Sequence, residues 1–212
     1  MEPTIYKPSI YKGHTIYNTG DAGGGGGVDT VEIAGYTYRT TTINGVTWLA
    51  ENLRLLFDDA IINPGTYNSQ PSIFYNLLSF YTYGYLYNWW AAKYIQDNRD
   101  LLIPGWRVAE LSDYNDLISS IGGIANVPTI LYEKNWTGSS SDNLNFSMKP
   151  SGIWSGSGVT SQGIDFGTGL CQYECLTMFD SNKEYHLDCT SSSASFTYNA
   201  RGAGRSIRLI KE

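Results

Sequence analysis

Apolar and polar positions change their period several times along this chain, and each change marks an element. From Val31 to Leu53 the sequence VEIAGYTYRTTTINGVTWLAENL alternates, which predicts two short strands with Asn44-Gly45 as the hairpin turn. Trp48, Leu49 and Leu53 are expected to point inward. Residues 55–79 have weak periodicity and a turn signal at Asn63-Pro64-Gly65, so a long loop with strand fragments is expected there. Tyr81, Tyr83, Tyr85 and Tyr87 then alternate with Thr82, Gly84 and Leu86, the period of a strand. The pattern switches at Asn88, a helix N-cap, and Trp89, Ala92 and Lys93 fall at helical spacing up to Asn98. Ile103-Pro104-Gly105-Trp106 predicts a turn. Glu110–Ile118 predicts a second helix, with Ser112 as its cap and Gly122-Gly123 as its stop. Beyond it, four strand candidates lie between Gly-, Ser- and Asn-rich joints: Asn145–Val159, Gly163–Phe179, Glu184–Ser192 and Arg205–Glu212. The last of these is expected to be tied into a sheet opposite an early strand.

The first 27 residues follow another rule. Ile5-Tyr6, Ile10-Tyr11 and Ile16-Tyr17 repeat an apolar pair without helical period, between Pro3, Pro8 and five consecutive glycines, Gly23–Gly27. An extended segment cannot bury such pairs by itself, and a glycine run has no side chain to pack. The expectation is an anchor peptide over 1–27, docking through those six Ile and Tyr residues, joined by a hinge at 23–27 to one domain over 28–212.

Composition narrows the class. Only 16% of residues are charged and there are 23 Gly, which suits a loop-rich fold containing strands. The net charge of −6 and the lack of any Lys/Arg cluster argue against nucleic acid, whose phosphates need a basic face. No apolar run reaches the ~18 residues of a membrane span. The first residues lack a secretory signal, so synthesis in a cytoplasm is expected. Cys171, Cys175 and Cys189 form no even framework. On one strand Cys171 and Cys175 would stand about 13 Å apart, too far to bridge.

Chemistry finds little support. The oxygen-rich run Asp97-Asn98-Arg99-Asp100 carries a cation of its own, which argues against calcium. Cys171, Cys175, His186 and Cys189 include ligand types that zinc accepts, at a spacing matching no standard knuckle. With His14 and His186 the only histidines, no Ser-His-Asp set can be assembled. No catalytic residue, metal or cofactor is assigned.

INGVTWLAENL, TYGYLYNWWAA, IPGWRVAELSDYNDLI and GRSIRLIKE, in that order between Ile43 and Glu212, resemble the blocks of the Fibrobacter succinogenes major paralogous domain. The departures are Tyr114 for a Trp, Ala109-Glu110 for a Pro-Ser helix start, and Leu176-Thr177-Met178-Phe179 for a Trp-Ser-Ser block. The resemblance implies an α+β, C-type-lectin-like fold similar to formylglycine-generating enzymes and retroelement variable proteins. Two short helices would be braced against a small mixed, mostly antiparallel, loop-rich sheet. It implies binding more than catalysis, on loops before the terminal strand: Tyr173, Glu174, Asp180, Asn182, Tyr185, His186, Tyr198 and Asn199, residue types that binding loops favour. The function expected is a virion protein, a phage head or tail fibre or decoration. Its tail would hold capsid or tail proteins and its lectin-like domain a host-surface glycan or protein, as a homotrimer. The alternative is a bacterial cell-surface domain binding glycans or peptides, cut from a secreted precursor.

Overall fold

A computed structural model describes residues 29–67, 69–74, 80–134, 140–155 and 169–212. The anchor segment 1–27, with Ile5, Tyr6, Ile10, Tyr11, Ile16 and Tyr17, lies outside the described residues. The architecture is mixed α+β: short strands in mostly antiparallel sheets, with few short helices.

Strands β1 (Thr30–Ile33), β2 (Tyr36–Ile43) and β3 (Val46–Leu49) form a meander. Its two turns, Ala34-Gly35 and Asn44-Gly45, both have positive φ at both residues, the backbone of tight two-residue hairpins. The second turn matches expectation. The first splits the predicted pair of strands into three, because Ala34 occupies a left-handed position that the sequence does not advertise. β4 (Ile61–Ile62) and β5 (Ser72–Phe74) are the fragments in the long loop. The predicted strand over Tyr81–Tyr87 is corrected: Phe80–Tyr83 is a helical turn, α1, and only Leu86–Tyr87 is a strand, β6. Gly84, at φ 81°, breaks the extended run. The backbone there is held from across the fold, where Asn52 Nδ2 donates to the Tyr83 carbonyl at 2.8 Å and the Tyr85 amide to the Leu53 carbonyl at 3.1 Å.

Helix α2 (Trp89–Asp97) is capped by Asn88, whose side chain accepts from the Ala91 amide, and it ends at Asn98. A further turn, α3 (Arg99–Leu102), follows directly, with Arg99 paired to Glu212 at 2.9 Å. The Pro104-Gly105 turn closes through the Trp106 amide on the Ile103 carbonyl and delivers β7 (Trp106–Val108). Helix α4 (Leu111–Ser120) starts at Glu110, not Ser112. Asp113 sets that start by accepting the Glu110 amide at 2.7 Å while gripping Arg107 through both oxygens. Gly122 and Gly123 stop the helix with bonds to Ser119 and Ile118, a Schellman ending. A 3-10 turn and helix α5 (Val127–Ile130) follow. The strand predicted from Asn145 is absent over its described part, because Asn145, Ser147 and Gly152 all have positive φ. The chain closes with β8 (Leu170–Met178), β9 (Lys183–Thr190), β10 (Ala194–Ala200) and β11 (Leu209–Lys211). β10 falls where loop was expected.

β1, β2, β3, β11 and β7 form one antiparallel sheet in that order, so the terminal strand sits inside it, with Ile210 opposite Trp48. Both faces of this sheet are covered. Leu49, Val108 and Leu209 pack with Ala91, Ala92 and Ile95 of α2, whereas Trp48 and Ile210 pack with Tyr114, Leu117 and Ile118 of α4. That is why β11 shows no clean alternation. β4, β5 and β6 make a small second sheet, and β8, β9 and β10 a third. Arg208 is fully buried at the seam and donates to the carbonyls of Leu49, Phe146 and Ser147 at 2.8 to 2.9 Å.

Candidate functional site

The third sheet, with its β8–β9 turn, carries all eight residues singled out for ligand binding, and its two faces differ in chemistry. On one face Cys171, Tyr173, Cys175, Leu187 and Cys189 join the apolar core with α4. On the other, Gln172, Glu174, Glu184 and His186 are buried around Arg205, which comes from the segment before β11. Arg205 Nε donates to Gln172 at 3.0 Å, and its guanidinium pairs with Glu184 and, at 3.6 Å, with Glu174. Loss of water raises both carboxyls, Glu174 to about 7 and Glu184 to about 8. Burial and the neighbouring Arg205 lower His186 to about 3. One cation thus serves two carboxylates in a dry place, where a proton on one of them avoids an unbalanced charge.

Three of the predicted surface residues therefore require correction. Tyr173, Glu174 and His186 are buried strand residues, not exposed loop positions. They alternate in a sheet covered on both sides, and polar residues facing a buried guanidinium look in sequence like polar residues facing water. Alternation also separates His186 from the three cysteines. Cys171 stands opposite Cys189 on neighbouring strands, a contact that spacing along one strand cannot reveal. Among the described residues no group of three or more His, Cys, Asp or Glu is placed to hold a metal ion.

Asp180, Asn182, Tyr185 and Tyr198 do lie at the end of the sheet where β8 turns into β9, whereas Asn199 stands opposite Glu184 and faces the other side. Asp180 shapes that turn, its Oδ1 accepting the amides of Asn182 and Lys183 at 2.7 and 2.9 Å. Phe179 stacks on Tyr198 with ring centres 3.8 Å apart, and Tyr185 meets both rings edge-on. The Lys183 ammonium lies 5.1 Å from the centre of the Tyr198 ring. Phe179 and Tyr198 remain 42% and 45% exposed. An aromatic cluster left this open at a sheet end, with amide, carboxylate and ammonium groups beside it, provides contact area and hydrogen bonding together.

Sequence reading missed Phe179, Lys183 and Arg201. The Arg201 guanidinium lies 5.0 Å from the Trp89 ring and 4.6 Å from the Trp90 ring. Its amide donates to the Asn182 carbonyl, and its carbonyl accepts from the Trp89 amide. It thus locks the sheet end to the start of α2. The Trp pair after Asn88 was the available signal, but its cation lies more than 100 residues away in the chain.

No family model, curated protein or solved structure matches this chain. Among the described residues no helix is long and apolar enough to cross a membrane.

Proposed function

We propose that this chain is a non-enzymatic binding protein, a C-type-lectin-like domain carried on a phage head or tail fibre or decoration. Residues 1–27 hold it to capsid or tail proteins, and the end of the β8–β10 sheet meets a host-surface glycan or protein. The observation that carries the binding reading is the exposed cluster of Phe179, Tyr185 and Tyr198 beside Lys183, Asp180 and Asn182. The titratable groups that could do acid–base chemistry in the same sheet, Glu174, Glu184 and His186, are sealed from solvent. Two helices against a sheet that joins an early strand to the terminal one support the lectin-like reading.

The test is binding of the purified full chain to a glycan array and to intact bacterial cells, alongside a Phe179→Ala, Tyr198→Ser double variant. The variant should keep its melting temperature within a few degrees and bind at least about tenfold more weakly, the loss expected from removing two open rings. Equal binding by a folded double variant would sink the proposal.

One observation favours the bacterial-surface alternative. Cys171 and Cys189 are free but directly opposed, and opposed residues in antiparallel strands lie about 4.5–5.5 Å apart at Cα, within disulfide range. A disulfide between them in protein taken from its native source would speak for an oxidising envelope.

A further inference from the structure

We propose that β10 pairs edge to edge with β10 of a second copy of this chain, extending the three-stranded sheet across a two-fold axis. Among the described residues β10 is the outer strand of its sheet, paired with β9 on one side only. The Arg201 amide donates to Asn182, and the Thr190 amide to the Ser193 carbonyl. In an antiparallel ladder these bonds fix the direction of every backbone group along the strand. Odd-numbered residues of β10 therefore turn their N–H and C=O towards β9, and Ala194, Phe196, Tyr198 and Ala200 turn theirs outward. Ala200 is already satisfied, because its amide donates to its neighbour Asn199 and its carbonyl accepts from Ala203. Among the described residues no backbone hydrogen bond reaches the outward groups of Ala194, Phe196 or Tyr198.

Sheet edges are ordinarily protected by a charge, a proline or a bulge. Ala194–Ala200, ASFTYNA, has none of these, and the turn leading into it, Ser191-Ser192-Ser193, is uncharged as well. A second copy is the occupant that this edge fits. The protein carries a net charge of −6, so two copies repel wherever carboxylates face each other, and this strand presents none. Its sequence is also self-complementary about Thr197. Antiparallel pairing centred there sets Thr197 against Thr197 and Ser195 against Asn199. Each Phe196 then exchanges both outward backbone bonds with Tyr198 of the second copy. Aromatic residues opposed on one face, and on the other a Thr–Thr pair flanked by Ser–Asn pairs that can hydrogen-bond, are favourable cross-strand pairs. The pairing places two copies of the Phe179–Tyr185–Tyr198 cluster on one continuous sheet, and it holds whether or not that cluster binds a ligand. A homotrimer needs a three-fold contact that this pairing does not supply.

The experiment is the mass of the full chain in solution, by light scattering across the micromolar to millimolar range, for wild type and for Thr197→Lys, Thr197→Glu and their mixture. Wild type should reach twice the 23.5 kDa chain mass. Each single variant opposes a charge to itself across the axis and should dissociate about tenfold more readily, whereas the mixture of the two should recover the dimer. Ser195→Lys combined with Asn199→Lys, both at exposed positions, applies the same opposition if the Thr197 variants fail to fold. A wild-type monomer throughout, a trimer, or a dimer indifferent to these charges would overturn the proposal.

Discussion

At the level of single residues, the group that most distinguishes this protein is the guanidinium of Arg205 shared by Glu174 and Glu184. Both carboxyls are raised by burial, so the native state prefers them protonated relative to the unfolded chain, whose glutamates titrate near the ordinary value of about 4.3. Stability from this source is complete below that value and is lost as pH rises through the raised values of about 7 and about 8. His186, lowered to about 3, acts in the opposite sense, since its native form resists the proton that the unfolded chain takes up below about 6.5. Above that pH it no longer contributes to the slope. Between pH 6.5 and 8 the protein should therefore lose about 1 to 2 kcal/mol, the effect of one proton held in the native state and released on unfolding. Urea unfolding at the two pH values measures it, and Glu184→Gln should flatten the difference. A stability that rises over this interval would contradict the shared-proton account. The sequence could not have shown the group. Trp48, Leu49 and Leu53 are legible as core because apolar residues in alternation have one explanation. Glu174 and His186 have two, and the choice is made by an arginine outside their own strands.

Secondary elements were legible where a local signal sufficed. The Asn44-Gly45 hairpin, the Asn88 cap and the Gly122-Gly123 stop are set by neighbouring residues and stand where they were expected. Elements fixed by distant contacts were not. The alternating tyrosines before Leu86 lose their strand to the backbone contacts around Gly84, whereas β10, ASFTYNA, does alternate with period two, a local signal obscured by the serines before it. Gly84 gives this scale its prediction. A methyl group there would sit 2.7 Å from Asn52 Cβ and 3.0 Å from the Leu53 carbonyl oxygen, at a φ of 81°. None of those atoms is the far end of a flexible chain, so the backbone of one segment must move. Gly84→Ala should cost about 2 to 4 kcal/mol, combining left-handed strain with overpacking. A thermal melt within a degree of wild type would show that the Asn52 and Gly84 segments are not held together as described.

For the molecule as a whole, the position of β11 orders folding. The strand formed by the last residues lies between β3 and β7, bonds to both, and contributes Leu209 to one core and Ile210 to the other. Neither core can close until residues 209–211 are in place, and the arginine that holds the Leu49, Phe146 and Ser147 carbonyls precedes that strand by one residue. Contacts of such long sequence separation make folding slow relative to local hairpins. At the other edge of the sheet, β1 pairs with β2 alone among the described residues, and residues 1–27 precede it through a glycine run. Two truncations separate these roles. Removing residues 209–212 should abolish the cooperative thermal transition, since it deletes the strand that joins β3 to β7 and uncovers both cores. Removing residues 1–27 should leave the melting temperature within a few degrees of the full chain, as the anchor role proposed for that segment requires. If the short C-terminal deletion still melts cooperatively, β11 does not join the two halves of the sheet. If the N-terminal deletion melts far lower, the first 27 residues belong to the domain and not to an anchor outside it.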